Sequence, residues 1–164
     1  MAGAGAGMSE TVEQRLAGLG FRLFSPPPPL GAHVRAVRSG NLVFTAGHGP
    51  FDERGVVALK GQVGGELTPE QGKAAAALCA VACLSSLNGE IGDLGRVRRI
   101  VKLLAFVNCA PGFDDTTEVV NGASDVIAHA FGERGIHARS AIGTSTLPKG
   151  IPVELELIAE IEAE

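Results

Sequence analysis

The sequence predicts an α+β fold in which two helices pack against one face of a mixed β-sheet. Three observations support this prediction. Two long segments combine helix-capping residues with helical spacing of apolar residues, and others are β-rich or alternate strictly. Their order is a short helix, a hairpin, then helix, strand, helix and two strands. A chain of 164 residues is long enough for one domain with a substantial core.

The first 30 residues are expected to precede the main domain, which spans residues 31–164. Residues 1–8 have no basic n-region and no apolar h-region, so we expect a disordered leader rather than a secretory signal. Thr11 and Gln14 have capping-box spacing and predict a short helix that ends near Gly18. The run Pro26–Pro29 predicts a stiff polyproline connector, because proline can neither extend a helix nor pair inside a sheet.

A β-hairpin is expected next. Residues 34–39 and 42–46 are β-rich and flank the pair Gly40-Asn41, which favours a tight turn. A further short strand is predicted near residues 56–59, with turn glycines at positions 55 and 61.

The clearest helix begins after Thr68 and is predicted to run to about Glu90. Thr68 is suited to the N-cap, Pro69 to the first helical position and Gln71 to the reciprocal capping-box bond. Small residues spaced by three and four allow this helix to lie close against a sheet. They form a stripe of Ala76, Cys79, Ala80, Cys83 and Leu87.

The second half of the chain alternates between extended and helical patterns. The predicted elements are a long strand at residues 97–107, a helix at 116–131 and two strands at 137–143 and 152–161. In the last strand the odd-numbered positions from Val153 are apolar, so one face is expected to be buried. Ile158 interrupts the polar face, which suggests that another subunit covers part of it.

The composition excludes several kinds of partner. The formal net charge is −4 and all seven aromatic residues are phenylalanine. The sequence therefore offers neither the basic surface nor the aromatic stacking platform that nucleic-acid binding requires. No run approaches the ~18 consecutive apolar residues that span a bilayer. Three cysteines, an odd number, argue against a disulfide scaffold and predict a cytoplasmic location.

Arg139 and Glu154 are the candidate catalytic residues. Arg139 stands among small residues, and a guanidinium group can bind a carboxylate through two parallel N–H···O bonds. From the sequence pattern alone, an exposed arginine on a strand face is as good an interpretation as a carboxylate-binding arginine. Glu154 is expected close to Arg139, where it can orient water or act in acid–base catalysis. Glu160 and Glu162 are expected to face solvent.

No metal site is predicted. The four histidines show no pair at metal-ligand spacing, and Cys79 and Cys83 fit helix packing better than a zinc site. Gly47 and Gly49 flank His48, and glycines there allow backbone N–H groups to approach a ligand closely.

Together these segments resemble the Rid family of reactive intermediate deaminases, also called YjgF-like or endoribonuclease L-PSP. The resemblance runs from about Gly31 to Glu162, and its C-terminal motifs are the most specific. The matching segments are Gly31–Val34, Ala46–His48, Val97–Val107, Asn121, Ala138–Ile142, Leu147-Pro148 and Val153–Glu156.

The resemblance implies a chorismate-mutase-like fold and a homotrimer with sites in the clefts between subunits. It also implies hydrolysis of 2-imino or 2-enamino acids to 2-oxo acids and ammonia, without metal or cofactor. In that family the residue matching Arg139 binds the substrate carboxylate, and the residue matching Glu154 positions or activates water. The backbone at the position of Ala141 helps to hold that water.

Four departures from the family pattern indicate a divergent subgroup with a different substrate side chain or altered activity. His33 replaces a tyrosine, Ala46 a serine, His48 a glutamine and Ala141 a cysteine. The full expected substrate-binding set is Arg139, Ala141, Gly47, His33, Ala46, His48 and Asn121. The main alternative function is a non-catalytic trimer that binds a small carboxylate metabolite, and an endoribonuclease is the less favoured one.

Overall fold

The computed structural model describes residues 10–163, in which three helices pack with one mixed five-stranded sheet. The α+β prediction is therefore confirmed. The predicted leader at residues 1–8 lies outside the described residues. The helices are α1 (Val12–Gly18), α2 (Pro69–Ile91) and α3 (Thr116–Phe131), and the strands are β1 (Ala36–Ser39), β2 (Leu42–Thr45), β3 (Val97–Asn108), β4 (Ala138–Thr144) and β5 (Val153–Ile161).

The sheet has the strand order β1-β2-β5-β3-β4, so that the last strand of the chain lies in its centre. β3 and β4 are parallel, and the other neighbours are antiparallel. The predicted alternation of β5 is confirmed, because its odd-numbered residues from Val153 to Ile161 are at most 1% exposed. These residues face the helical layer, in which α2 packs against β5 and α3 packs against α2, β3 and β4.

α2 is the central helix of the core. The capping box of Thr68 and Gln71 is formed as predicted, and Gly92 ends the helix in the left-handed conformation, with φ of 80°. By length and composition α2 could cross a membrane, but 72% of its most apolar window is buried within the fold. The thiols of Cys79 and Cys83 lie 3.4 and 3.3 Å from carbonyl oxygens of β5, and burial raises the pKa of Cys83 to about 12. Their predicted packing role is confirmed.

The segment before the hairpin is tied to the core at several points. The predicted capping box of α1 is formed, and Leu16 is fully buried where α1 packs against α3. The polyproline connector follows in the chain. Ser85 of α2 accepts a hydrogen bond from the backbone of Phe24 at 3.2 Å, and Arg35 Nε donates to the carbonyl oxygen of Pro27 at 2.7 Å. These hydrogen bonds hold the connector in one position against the rest of the fold.

The hairpin of β1 and β2 is confirmed, but the short strand predicted at residues 56–59 is wrong. The segment makes one isolated bridge, between Phe51 and Val57. The Asp52 carboxylate accepts hydrogen bonds from the backbone amides of Arg54 and Val56, both at 2.9 Å. These bonds close a tight turn through Gly55, whose φ is 75°, and they occupy an amide that strand pairing would need.

The sheet face opposite the helices is partly apolar and uncovered. Val37, Leu42 and Ile142 are 53%, 37% and 47% exposed. Ile158 shares this face, since it pairs with Phe44 of β2 in the sheet register. An apolar face of this kind is typical of a protein–protein contact.

Two helix glycines provide a matched test of the α2–α3 packing. A Cβ at Gly122 of α3 would collide with the carbonyl group of Lys73 on α2, whereas a Cβ at Gly89 of α2 meets nothing within 4 Å. We expect Gly122→Ala to destabilise the fold by about 1–3 kcal/mol through overpacking. We expect Gly89→Ala to stabilise it by up to about 1 kcal/mol through helix propensity. Urea unfolding at one protein concentration measures both, and similar effects of the two changes would contradict the packing.

Candidate functional site

The structure divides the predicted site residues between two places. One is the Glu154 cavity, between the start of β5, the turn after β2 and the polyproline connector. The other is the Arg139 cluster, which joins β4 to α3 through Arg139, Asn121, Ser124 and Thr117.

The Glu154 cavity has a volume of about 730 Å³, which is large enough for a small metabolite. Its walls are mainly apolar and include Phe51, Val57, Ile151 and the prolines of the connector. Arg35, Lys60 and Lys149 are the basic residues of the lining, and Glu154 is its acidic residue. This charge balance favours an anionic ligand. The predicted residues His33, Ala46, Gly47 and His48 also line this cavity.

Gly47 allows the turn after β2 to pass directly over the Glu154 carboxyl group. The turn is fixed by two backbone hydrogen bonds between His48 and Leu155, at 2.8 and 3.0 Å. A Cβ at Gly47 would collide with the Oε1 atom of Glu154. The absence of a side chain at Gly47 therefore lets the Glu154 carboxyl group lie directly against the turn.

The Glu154 carboxyl group has an environment suited to proton transfer. Burial raises its pKa above the ordinary value, and the nearby charge of Glu156 raises it further. Both residues lie on the same face of β5, two positions apart. A carboxyl group with a raised pKa exchanges its proton more readily near neutral pH than an ordinary glutamate does.

His48 connects the turn to α2 through its buried ring. Nδ1 lies 2.6 Å from the carbonyl oxygen of Ala46, and Nε2 lies 2.6 Å from the Ser86 hydroxyl. Burial lowers the pKa of His48, so the neutral ring is favoured. Both ring nitrogens of His48, and both its backbone N–H and its carbonyl oxygen, therefore have partners within the fold. His33, in contrast, is exposed at the rim.

Arg139 is held by uncharged acceptors on α3. Its Nη1 atom donates to Asn121 Oδ1 at 2.8 Å and to Ser124 Oγ at 3.0 Å, and Nη2 donates to the Thr117 carbonyl oxygen at 3.4 Å. Asn121 and Ser124 are three residues apart and therefore share one face of the helix. None of these partners neutralises the guanidinium group, so its charge is available to an anion.

The orientation of Asn121 follows from its second partner. Its Nδ2 atom donates to Glu118 at 2.8 Å, which leaves Oδ1 as the acceptor for Arg139. Glu118 in turn pairs with Lys73 of α2 at 2.6 Å, and this pair lowers the pKa of Glu118. The predicted residue Asn121 is thus joined to Arg139. Ala141, two residues along β4, accepts a hydrogen bond from Thr116 Oγ1 at 3.2 Å through its carbonyl oxygen.

The expectation that Glu154 lies close to Arg139 is wrong within one chain. Arg139 pairs with Leu103 of β3, whereas Glu154 pairs with Phe106, and β3 separates β4 from β5. The two residues are therefore about 10 Å apart across the sheet and about 10 Å apart along it. They also lie on opposite faces, because Arg139 shares the face of Leu103 and Glu154 that of Phe106. One chain cannot bring both groups to one small ligand.

Two features of these sites were missed from the sequence. Ser124 is a partner of Arg139, and its spacing of three residues from Asn121 was the available signal. The connector forms a wall of the cavity, which no local pattern indicates. Within residues 10–163, no three His, Cys, Asp or Glu side chains converge as a metal-binding group.

Comparisons with known proteins give a consistent result. The family model described as endoribonuclease L-PSP matches residues 25–161. Protein TCP17 of Trypanosoma cruzi is 40% identical over 154 residues, which are 93% of this chain and 96% of TCP17. Protein Atu1372 of Agrobacterium tumefaciens is 38% identical, with a TM-score of 0.86 over 93% of this chain and 94% of that chain. RidA of an Antarctic Psychrobacter is 26% identical, with a TM-score of 0.57 over 84% and 94%.

Replacement of Gly47 tests the position of the Glu154 carboxyl group. In Gly47→Ala the added methyl group takes the place of that carboxyl, which must move toward solvent. We expect the pKa of Glu154 to fall toward the ordinary glutamate value as burial is lost. Gly18→Ala is the matched control, since its Cβ meets nothing within 4 Å. Carbon-13 NMR titration of the Glu154 carboxyl measures the pKa, and an unchanged value in Gly47→Ala would refute this geometry.

Proposed function

The chain belongs to the endoribonuclease L-PSP family of Rid/YjgF-like proteins, and we propose that it hydrolyses reactive 2-imino or 2-enamino acids to 2-oxo acids and ammonia. The observation that carries this proposal is the half-buried Glu154 carboxyl group with its raised pKa, at the wall of a metabolite-sized cavity. The unneutralised guanidinium group of Arg139 supplies a second requirement, a binding group for the substrate carboxylate.

The reaction needs only an oriented water molecule and proton transfer. Water adds to the C2 carbon of the imine, Glu154 accepts a proton from that water, and the nitrogen becomes protonated. The tetrahedral adduct then gains a second proton on nitrogen and loses its hydroxyl proton, so that ammonia leaves as the C–N bond breaks and the C2=O bond of the 2-oxo acid forms. A 2-enamino acid enters this sequence after transfer of an N–H proton to C3 has converted it to the imine. A carboxyl group whose pKa is raised toward neutrality can serve in both proton transfers. Fixing the substrate carboxylate on a guanidinium group keeps C2 in place for the attack.

The proposal requires more than one copy of the chain. Arg139 and Glu154 lie on different faces of the sheet, so we place them in one site by combining Arg139 of one copy with the Glu154 cavity of the next. The partly apolar, uncovered sheet face supports such an assembly, and a homotrimer is the form that we propose.

Steady-state kinetics test the two roles. Imino acids are generated freshly from amino acids, and release of the 2-oxo acid is measured. Glu154→Gln removes the proton-transfer group, so we expect kcat to fall by about 10²- to 10⁴-fold. Arg139→Ala removes the carboxylate-binding group, so we expect KM to rise by about 10- to 100-fold, as for the loss of hydrogen bonds to a charged group.

Two exposed residues away from the sheet serve as controls. Glu13→Gln changes a glutamate on α1, and Arg22→Ala removes an arginine from the segment that follows α1. Both should retain wild-type kinetics. Wild-type rates in Arg139→Ala and Glu154→Gln would refute the proposal. Calorimetric binding of 2-oxo acids without hydrolysis of any imine would instead favour the non-catalytic alternative, which the replacement of the family cysteine by Ala141 motivates.

A further inference from the structure

A continuous chain of hydrogen bonds extends from Arg139 beyond its direct partner. Ser124 Oγ, which accepts from Arg139 Nη1 at 3.0 Å, lies 3.1 Å from His137 Nε2. The other ring nitrogen, His137 Nδ1, lies 2.6 Å from the carbonyl oxygen of Gly135. His137 is half-buried and stands two residues before Arg139 in the sequence.

The chemistry of the groups determines the direction of each hydrogen bond. A carbonyl oxygen only accepts, so His137 must carry a proton on Nδ1. In the neutral ring Nε2 is then an acceptor, and it takes the hydroxyl proton of Ser124. The lone pairs of Ser124 Oγ are thereby left for the N–H group of Arg139. With the proton of the ring on Nδ1, every donor in this series of hydrogen bonds has an acceptor.

The far end of the chain is rigid. A Cβ at Gly135 would lie 2.5 Å from the Ile127 carbonyl oxygen and 3.0 Å from the Ala128 Cα atom. Gly135 is therefore packed directly against the backbone of α3, and only glycine fits. Its carbonyl oxygen is a fixed point, and His137 transmits that fixed position to Ser124.

The two anchors on α3 hold the same nitrogen of the guanidinium group. Asn121 and Ser124 both accept from Nη1, which uses its two N–H groups. Within residues 10–163, Nε has no hydrogen-bond partner, and Nη2 has one long bond to Thr117. The Nε and Nη2 side of the fork is thus available, and it is one of the edges with which arginine binds a carboxylate bidentately.

We propose that Ser124 and His137 are positioning residues, which together with Asn121 hold Nη1 so that the Nε and Nη2 edge of Arg139 is presented to the substrate carboxylate. The inference deepens the proposed function and rests on the role given there to Arg139. Ser124 makes the contact, and His137 orients the Ser124 hydroxyl group so that it accepts rather than donates.

NMR of the ligand-free, full-length protein tests the anchoring directly. In wild type we expect nitrogen-15 shifts of the His137 tautomer that carries its proton on Nδ1, and an Arg139 Nε–H order parameter in the rigid range. In Ser124→Ala and in His137→Leu that order parameter should fall to roughly 0.6 or below. His137→Gln can still accept the Ser124 proton, so it should retain most of the order. His129→Leu, an exposed histidine on the same helix α3, should match wild type.

Several results would overturn the inference. An Arg139 order parameter that is unchanged in Ser124→Ala would do so, as would a neutral His137 with its proton on Nε2. If His137→Leu fails to fold, as judged by circular dichroism, the comparison of Ser124→Ala with His137→Gln decides alone. Equal loss of order in Ser124→Ala and His129→Leu would show a general loosening of α3, which also contradicts the positioning role.

Kinetics separate this inference from the proposed function. Since positioning of the carboxylate-binding group affects binding more than chemistry, Ser124→Ala and His137→Leu should raise KM by about three- to tenfold with little change in kcat. If Arg139→Ala loses activity while both variants keep the wild-type KM and order parameter, the positioning inference is wrong and the proposed function stands. If the order parameter falls as expected but Arg139→Ala hydrolyses imines at the wild-type rate, the anchoring stands and the proposed function is wrong.

Discussion

The central position of β5, paired with β2 on one side and β3 on the other, determines where every candidate functional side chain lies. Its buried residues face α2, so its glutamates must face the opposite side of the sheet. Glu154 stands at the first polar position, where the turn with Gly47 and the polyproline connector enclose it. A shift of β5 by one residue would bury its glutamates under α2. The free energy needed to bury several unpaired carboxylates would exceed the stability of the fold.

The same register separates the two groups that the proposed reaction needs. β4 pairs with the far edge of β3, and its parallel alignment puts Arg139 on the helical side, where Asn121 and Ser124 accept its hydrogen bonds. Arg139 thus has its hydrogen-bond partners in the helical layer, whereas Glu154 lies on the side of the sheet that the helices leave open. Each group is in a suitable state, since Arg139 has only neutral partners and burial raises the pKa of Glu154. Assembly of several copies is the step that can unite them.

Local sequence patterns predicted most of the secondary structure because capping and alternation depend on neighbouring residues. The capping boxes at Thr11 and Thr68 and the alternation of β5 are of this kind. The strand expected at residues 56–59 failed because the Asp52 side chain takes backbone amides into a turn. The proximity of Arg139 and Glu154 failed because strand order is a property of the whole sheet. Two strands that follow each other in sequence, β4 and β5, are separated in space by β3.

The central claim is that Arg139 of one copy and Glu154 of another form one site. It is tested most directly by mixing the two impaired variants, Arg139→Ala and Glu154→Gln, in equal amounts, with subunits exchanged by unfolding and refolding together, and by measuring rates at a substrate concentration well below the wild-type KM, where the raised KM of Arg139→Ala lowers the rate. If each site takes one group from each of two neighbouring copies, about a quarter of the sites in the mixed assemblies carry both intact groups, and activity should recover to about that fraction of wild type. A mixture that is no faster than the mean of its separate components under these conditions, after subunit exchange is verified by mass spectrometry, would contradict a site shared between copies.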